Sequence, residues 1–380
     1  MGRSLLAGVF LVAACGRFDF DPMPAVEAAD RLLTCGAPKR FTIGAELPSL
    51  NAVATPAGFA IVGVDGNRQL RGWTYEWGAS LWPSAQDVAI DTDVTTTTGV
   101  AVVDGQIVVA TIYGGMTPLG TRLHALDADL SPRAEASSFA GVMVGEGPIA
   151  QGGGDAADLA VVSVDNMSRV DVRPIDAVGA GLAPVRTLVD AAEIASSVRL
   201  TAARDGYLLS WTSGAGSPNK KRLARLDRSF QLVDGPVSAA SGANENAIRG
   251  AVAWLAGADR YLIAWFEKVG AGGDAVYFQI FDGHLAPVIP ATRLALGGVQ
   301  PQVGADGSHF FVAWKDVAAN PDVLTSAVIT ADGEVSPREV TSSGGSPAGY
   351  TFVERKGQSV LAWSESGGNG PDLWLDPMCP

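Results

Sequence analysis

One short apolar phrase recurs along this chain about every 50 residues, and that recurrence constrains the fold more than any other feature. Tyr207 to Trp211, Tyr261 to Trp265, Phe310 to Trp314 and Ser359 to Trp363 share one pattern, the last displaced by a residue at its start. Their tryptophans stand 54, 49 and 49 residues apart. Phe59 to Gly63, Ile107 to Thr111 and Leu159 to Ser163 are degenerate copies of the same phrase, continuing the series backwards at spacings of 48, 52 and 48. Seven copies fill the chain from residue 40 to its end.

Each copy has the same internal order. A first apolar segment ends at a Gly or Asp-Gly turn, as at Asp306-Gly307, and the repeated phrase follows it. A loop rich in Gly, Ser, Asn and Asp leads to a third, alternating segment such as Lys221 to Asp227, and a fourth begins near a proline: Pro132, Pro184, Pro236, Pro287 and Pro337. Four short segments between turn residues, without helical periodicity, predict a small antiparallel sheet. A proline lacks the N–H that a ladder needs, so the fourth segment is expected at the outer edge. Four-stranded repeats of this length resemble the blades of a β-propeller. Tandem immunoglobulin-like sandwiches need about 100 residues per unit, which the period excludes. The resemblance implies an all-β, seven-bladed propeller of four-stranded antiparallel blades.

The N-terminus carries a different signal. Arg3 is the one charge in the first fourteen residues, and Leu5 to Val12 are apolar, too few for the roughly 20 residues that span a bilayer but suited to a secretory signal. Val12-Ala13-Ala14-Cys15 resembles the lipobox of bacterial lipoproteins. That resemblance implies removal of residues 1–14, acylation of Cys15 (a palmitate-type lipid among the chains) and firm anchoring in a membrane. Gly16, rather than an aspartate, follows the cysteine and points by analogy to the outer membrane. Residues 15–35 would form a tether reaching about 25 Å, shortened if Ala25 to Leu33 coil into a helix, and residues 36–380 the propeller.

The repeat also explains the two other cysteines. The seventh copy supplies three strands, at 348–355, 359–365 and 372–375. Ala37 to Ile43 resembles the proline-initiated fourth segments, so the N-terminal strand is expected to complete the last blade. Cys379 would then end the third strand of that blade and Cys35 precede its fourth, where a Cys35–Cys379 disulfide replaces the missing turn. The chain-entropy picture gives such a large loop about 5 kcal/mol.

Composition and motifs narrow function by exclusion. With 27 Lys and Arg against 40 Asp and Glu, a formal charge of −13, the chain is ill suited to nucleic acid. It lacks the Asp-box of sialidases, the Gly-His and Trp-Asp marks of WD40 repeats, kelch double glycines in register, and any Asp-x-Asp-x-Asp-Gly calcium loop. His124, His284 and His309 form no metal-spaced pair, no nucleophile elbow or phosphate loop occurs, and no cofactor is expected.

One constellation does repeat. Two residues beyond each tryptophan position stand Asp65, Tyr113, Asp165, Ser213, Glu267, Asp316 and Glu365. In a propeller these gather at one face, where they would make a cation- or sugar-binding rim; the plainer reading is an acid that stabilises a turn. Tyr113, Lys268 and Lys315 are the loop residues on that face best suited to a ligand. The four repeat tryptophans are expected to pack between blades, whereas Trp73, Trp77 and Trp82 offer an aromatic contact patch.

The expected function is a monomeric, membrane-anchored lipoprotein of the cell envelope, acting as a non-catalytic module that binds a protein or glycan through a propeller face. Two alternatives come from other classes. One is a glycan- or lactone-directed hydrolase or lyase using carboxylates at the channel mouth; the other is a structural unit of an envelope assembly.

Overall fold

The computed structural model describes residues 37–76, 82–103, 105–114, 120–133, 137–140, 143–151, 159–164, 169–176, 181, 185–214, 219–239, 247–268, 273–340, 344–355, 357–367 and 370–378. The signal, the tether, Cys15, Cys35, Cys379 and Asp165 lie outside them.

The chain is an all-β propeller of four-stranded antiparallel blades. After β1 (Lys39–Thr42), the first sheet comprises β2 (Ser49–Ala54), β3 (Gly58–Val64), β4 (Leu70–Glu76) and β5 (Trp82–Asp91). The second comprises β6 (Val94–Val103), β7 (Gln106–Tyr113), β8 (Gly120–Leu126) and β9 (Ser137–Ala140). The third comprises β10 (Met143–Gln151), β11 (Leu159–Val164), β12 (Val170–Pro174) and β13 (Arg186–Val189). The fourth comprises β14 (Ala195–Ala203), β15 (Gly206–Ser213), β16 (Lys220–Asp227) and β17 (Leu232–Ala239). The fifth comprises β18 (Ala247–Leu255), β19 (Arg260–Lys268), β20 (Asp274–Asp282) and β21 (Pro287–Leu296). The sixth comprises β22 (Gly298–Ala305), β23 (His309–Asp316), β24 (Val323–Thr330) and β25 (Val335–Glu339). In the remaining sheet β26 (Ser346–Arg355), β27 (Gln358–Gly367) and β28 (Gly370–Met378) follow in order, and β1 lies antiparallel beside β28, Lys39 opposite Leu375.

Every copy of the repeated phrase falls in the second strand of a sheet, and in β3, β7, β15, β19, β23 and β27 that strand is covered on both faces and therefore reads as a continuous apolar run. Pro236, Pro287 and Pro337 lie in β17, β21 and β25, each the outermost strand of its sheet, where the missing N–H faces away from the ladder. The first strands are innermost. Neighbouring sheets meet through them in succession, and β26 lies against β2.

The core is a set of layers between sheets. Trp211, Trp265, Trp314 and Trp363 are all buried in these layers, and Trp363 stacks on Trp374 with ring centroids 5.6 Å apart. Burying such an indole is worth about 3–5 kcal/mol against truncation to alanine. Trp73 joins the layer between the first and last sheets, so it belongs to the core and not to an exposed aromatic patch; it sits on β4, whose inward positions are fully covered. Trp77 lies outside the described residues.

One irregularity matters for the interior. In six of the seven sheets the ladder between first and second strand slips near the start of the first strand, as between Ser196 and Arg199 or Val299 and Gln302. Ser197 and Gln300, inside two of these bulges, adopt φ of 46° and 55°. A bulge bends its strand and re-aims the side chains that follow it.

Candidate functional site

The ring of residues beyond the repeat tryptophans is brought to one end of the sheets, where the second strands finish. Its side chains turn to local partners. Asp65 is buried, and its Oδ1 accepts the amides of Asn67 and Gln69, each at 2.9 Å, fixing a turn in which Arg68 has φ 64°. The Glu267 carboxylate, also buried, accepts Trp265 Nε1–H at 2.5 Å. Glu365 accepts the amide of Gly345 at 2.7 Å, and Asp316 that of Ala318 at 2.9 Å. The Tyr113 ring lies 4.2 Å beneath the Arg122 guanidinium, and Ser213 Oγ–H donates to the Glu193 carbonyl at 3.2 Å. Lys315 pairs with Asp322 at 2.6 Å. Asp165 is outside the described residues.

The three histidines are equally local. His124 is buried, with Nε2 2.9 Å from Thr111 Oγ1; burial holds its pKa down at about 4, against the smaller upward pull of Asp91. His284 is exposed on a turn. Asp306, Ser308 and His309 meet on the β22–β23 turn, but Ser308 Oγ (2.8 Å) and Asp306 Oδ1 (3.7 Å) both approach the same ring nitrogen, Nδ1. A nucleophile relay needs serine on one ring nitrogen and the acid on the other. Among the described residues no group of three His, Cys, Asp or Glu side chains is placed to hold a metal.

The interior offers a more coherent site. Arg199 and Gln302 each stand just past a bulge, at equivalent positions of β14 and β22. Arg199 Nη1–H donates to Gln302 Oε1 at 3.1 Å, a bond that spans from the fourth sheet to the sixth across the channel. Asn51 and Thr351 occupy the same level on β2 and β26. From there the first strands run on for three residues, about 10 Å, toward the end opposite the rim, and the lining becomes apolar. Ala52, Val53 and Ala54, Val100, Ala101 and Val102, Val303, Phe352 and Val353 surround a cavity of about 310 Å³.

Glu354 stands at the top of that cavity. One carboxylate oxygen, Oε1, accepts the backbone N–H of Ala305 on the adjoining sheet. Desolvation by the neighbouring strands pushes its carboxyl pKa up to about 8; the Ala305 amide opposes that shift and Asp306 adds to it. The side chain is nevertheless exposed to the water of the channel. Phe352 beside it lies in the space left by the missing side chain of Gly304, where a Cβ would come 2.7 Å from the ring.

Glu354 escaped a reading of the sequence that followed the second strands. The signal was in the first strands. The residue facing the start of each repeated phrase is Ala54, Val102, Gln151, Ala202, Trp254, Ala305 and Glu354, one carboxylate among seven otherwise uncharged positions.

The chain matches no protein-family model and no curated protein sequence. Solved structures share its fold at low identity. A β-propeller domain of Myceliophteria thermophila Cps50 (Swd1) aligns with TM-score 0.53 and 11% identity over 89% of this chain and 99% of that one. A Bacteroides uniformis protein provisionally described as a 6-phosphogluconolactonase aligns with TM-score 0.51 and 12% identity over 76% and 83%. A prolyl endopeptidase aligns with TM-score 0.50 and 13% identity over 88% of this chain, which spans about half of that protein's length (51%).

Proposed function

We propose that this protein is an exported, lipid-anchored module of the cell envelope that binds its ligand non-catalytically at the apolar-walled end of a propeller channel. Residues 1–14 act as the signal, Cys15 carries the lipid, residues 15–35 are the tether and residues 36–380 the propeller, held as a monomer at the outer membrane. We read the ring as seven blades, with β1 as the closing strand of the last. Support for that reading comes from the ladder between β1 and β28 and from the contact of β26 with β2.

The observation that carries the binding reading is the cavity of about 310 Å³, whose apolar walls meet one oriented carboxylate. Small-ligand sites have this character, and volumes of about 300–1,000 Å³. Carboxylate catalysis would call for a second acid facing Glu354. Its charged neighbour Asp306 uses Oδ1 on the amides of Ser308 and His309. The lactonase and endopeptidase likenesses concern the fold, and fold does not carry activity.

The anchor is tested by labelled palmitate, which the full chain should incorporate and a Cys15→Ser variant should not. The site is tested in intact cells with a photo-crosslinking residue at Ala202, exposed on β14 at the level of Glu354. That position should capture a ligand that the same residue at Asp316, at the opposite end, does not. Equal capture at both, or at neither, refutes the channel reading.

A further inference from the structure

We infer that the channel end at Glu354 takes a small organic cation, an ammonium group carried on an apolar body. This rests on the channel-binding reading above and adds the chemistry of the ligand to it.

Three features of the cavity select that chemistry. First, the one ionisable side chain on its described lining is Glu354, and an arriving ammonium favours its ionised form, drawing the raised carboxyl pKa back down. With Oε1 held by the Ala305 amide, the carboxylate is oriented before a ligand arrives, and its second oxygen can accept a hydrogen bond from one. Such preorganisation lowers the ordering cost of binding. Second, the remaining side chains of the wall are those of alanine, valine and phenylalanine, which stabilise an apolar body and offer an anion no side-chain partner. The face of an aromatic ring such as Phe352 also favours a cation near it. Third, Arg199 is held across the channel by Gln302 some 10 Å deeper. Its positive charge at the floor keeps a ligand's ammonium at the mouth, beside Glu354, with the apolar part pointing inward. The formal charge of −13 for the whole chain works in the same direction at longer range.

The test uses the full-length mature protein in phosphatidylcholine nanodiscs, with empty nanodiscs as the blank. Benzylammonium, benzyl alcohol and benzoate serve as calorimetric probes of one shape and three charges. Benzylammonium should bind saturably and at least about tenfold more tightly than the alcohol, the factor expected of one charge-assisted hydrogen bond; benzoate should give no saturable heat. Glu354→Gln should bring the ammonium and the alcohol within about twofold of each other, and Glu354→Lys should reverse the order in favour of benzoate. Val303→Phe, which fills the cavity, should abolish binding of all three. If the alcohol binds as well as the ammonium and Glu354→Gln changes neither, while Val303→Phe removes both, the cation inference fails and the channel reading stands. If none of the probes binds, or if Val303→Phe leaves their binding intact, both fall.

Discussion

His124 is kept neutral by where the chain puts it. On β8 it alternates with leucines, and the structure buries it against Thr111 with its pKa lowered to about 4, burial being the main cause. In the unfolded chain the same ring takes up a proton near pH 6.5. Stability from His124 is therefore fully present above about pH 6.5 and is lost as the pH falls toward 4, because only the unfolded state binds the proton in that window. By pH 5 the loss amounts to about 2 kcal/mol. Urea unfolding at pH 7.5 and pH 5 should show that increment in the wild type and not in His124→Gln; an identical pH dependence in the two proteins would remove the argument. Alternation and the lack of a metal-spaced partner made this histidine readable as structural from the sequence. Glu354 was not readable in that way, since a carboxylate at the end of an apolar strand looks like an ordinary solvated terminus until the ring closes around it.

At the scale of the element, the turn between third and fourth strands carries a rule of its own. Asp127, Asp227 and Asp282 open three such turns, and in the latter two the carboxylate accepts amides two and four residues on, as from Ser229 and Gln231. The fourth residue of each turn is left-handed, yet it is Leu130 (φ 68°), Phe230 (φ 60°) and Leu285 (φ 61°) rather than glycine. Their burial explains the exception. Each drops its side chain into an interblade layer, and Phe230 stacks on Tyr207 with centroids 4.8 Å apart. In the sixth sheet the equivalent residue is Gly333 (φ 85°), because Ile289 of the neighbouring sheet already fills the space, its Cγ1 2.9 Å from where a Cβ would stand. Phe230→Gly thus sets two effects against each other. Relief of the left-handed backbone returns about 1 kcal/mol, whereas loss of the buried ring costs about 3–5 kcal/mol. A net destabilisation of about 2–4 kcal/mol is expected in denaturant titration, and a neutral or stabilised variant would mean that strain, not packing, governs the turn. The repeat and the edge prolines made the strands legible. Which turns carry a hydrophobic plug was not, because that depends on what the next sheet brings alongside.

For the whole molecule the question is how a ring built from one chain holds its ends together. β1 hydrogen-bonds to β28, and Arg40 Nη2 pairs at 2.5 Å with the fully buried Asp372. The Ile43 amide donates to the Pro371 carbonyl at 3.0 Å, while Phe41 turns the other way to meet Tyr75 of the first sheet, centroids 5.3 Å apart. This short segment therefore touches both sides of the seam. In the observed register Lys39 faces Leu375 and Thr42 faces Asp372. A Cys35–Cys379 bridge at this seam is an expectation from the sequence, and both cysteines lie outside the described residues. Non-reducing peptide mapping of the exported protein should recover a Cys35–Cys379 linked peptide. Reduction should lower the Tm of the wild type but not of Cys35→Ser, whose own loss is expected at about 3–5 kcal/mol. Two free thiols, or a reductant that leaves the Tm unchanged, would leave the seam to β1, the Arg40–Asp372 pair and the interblade core alone.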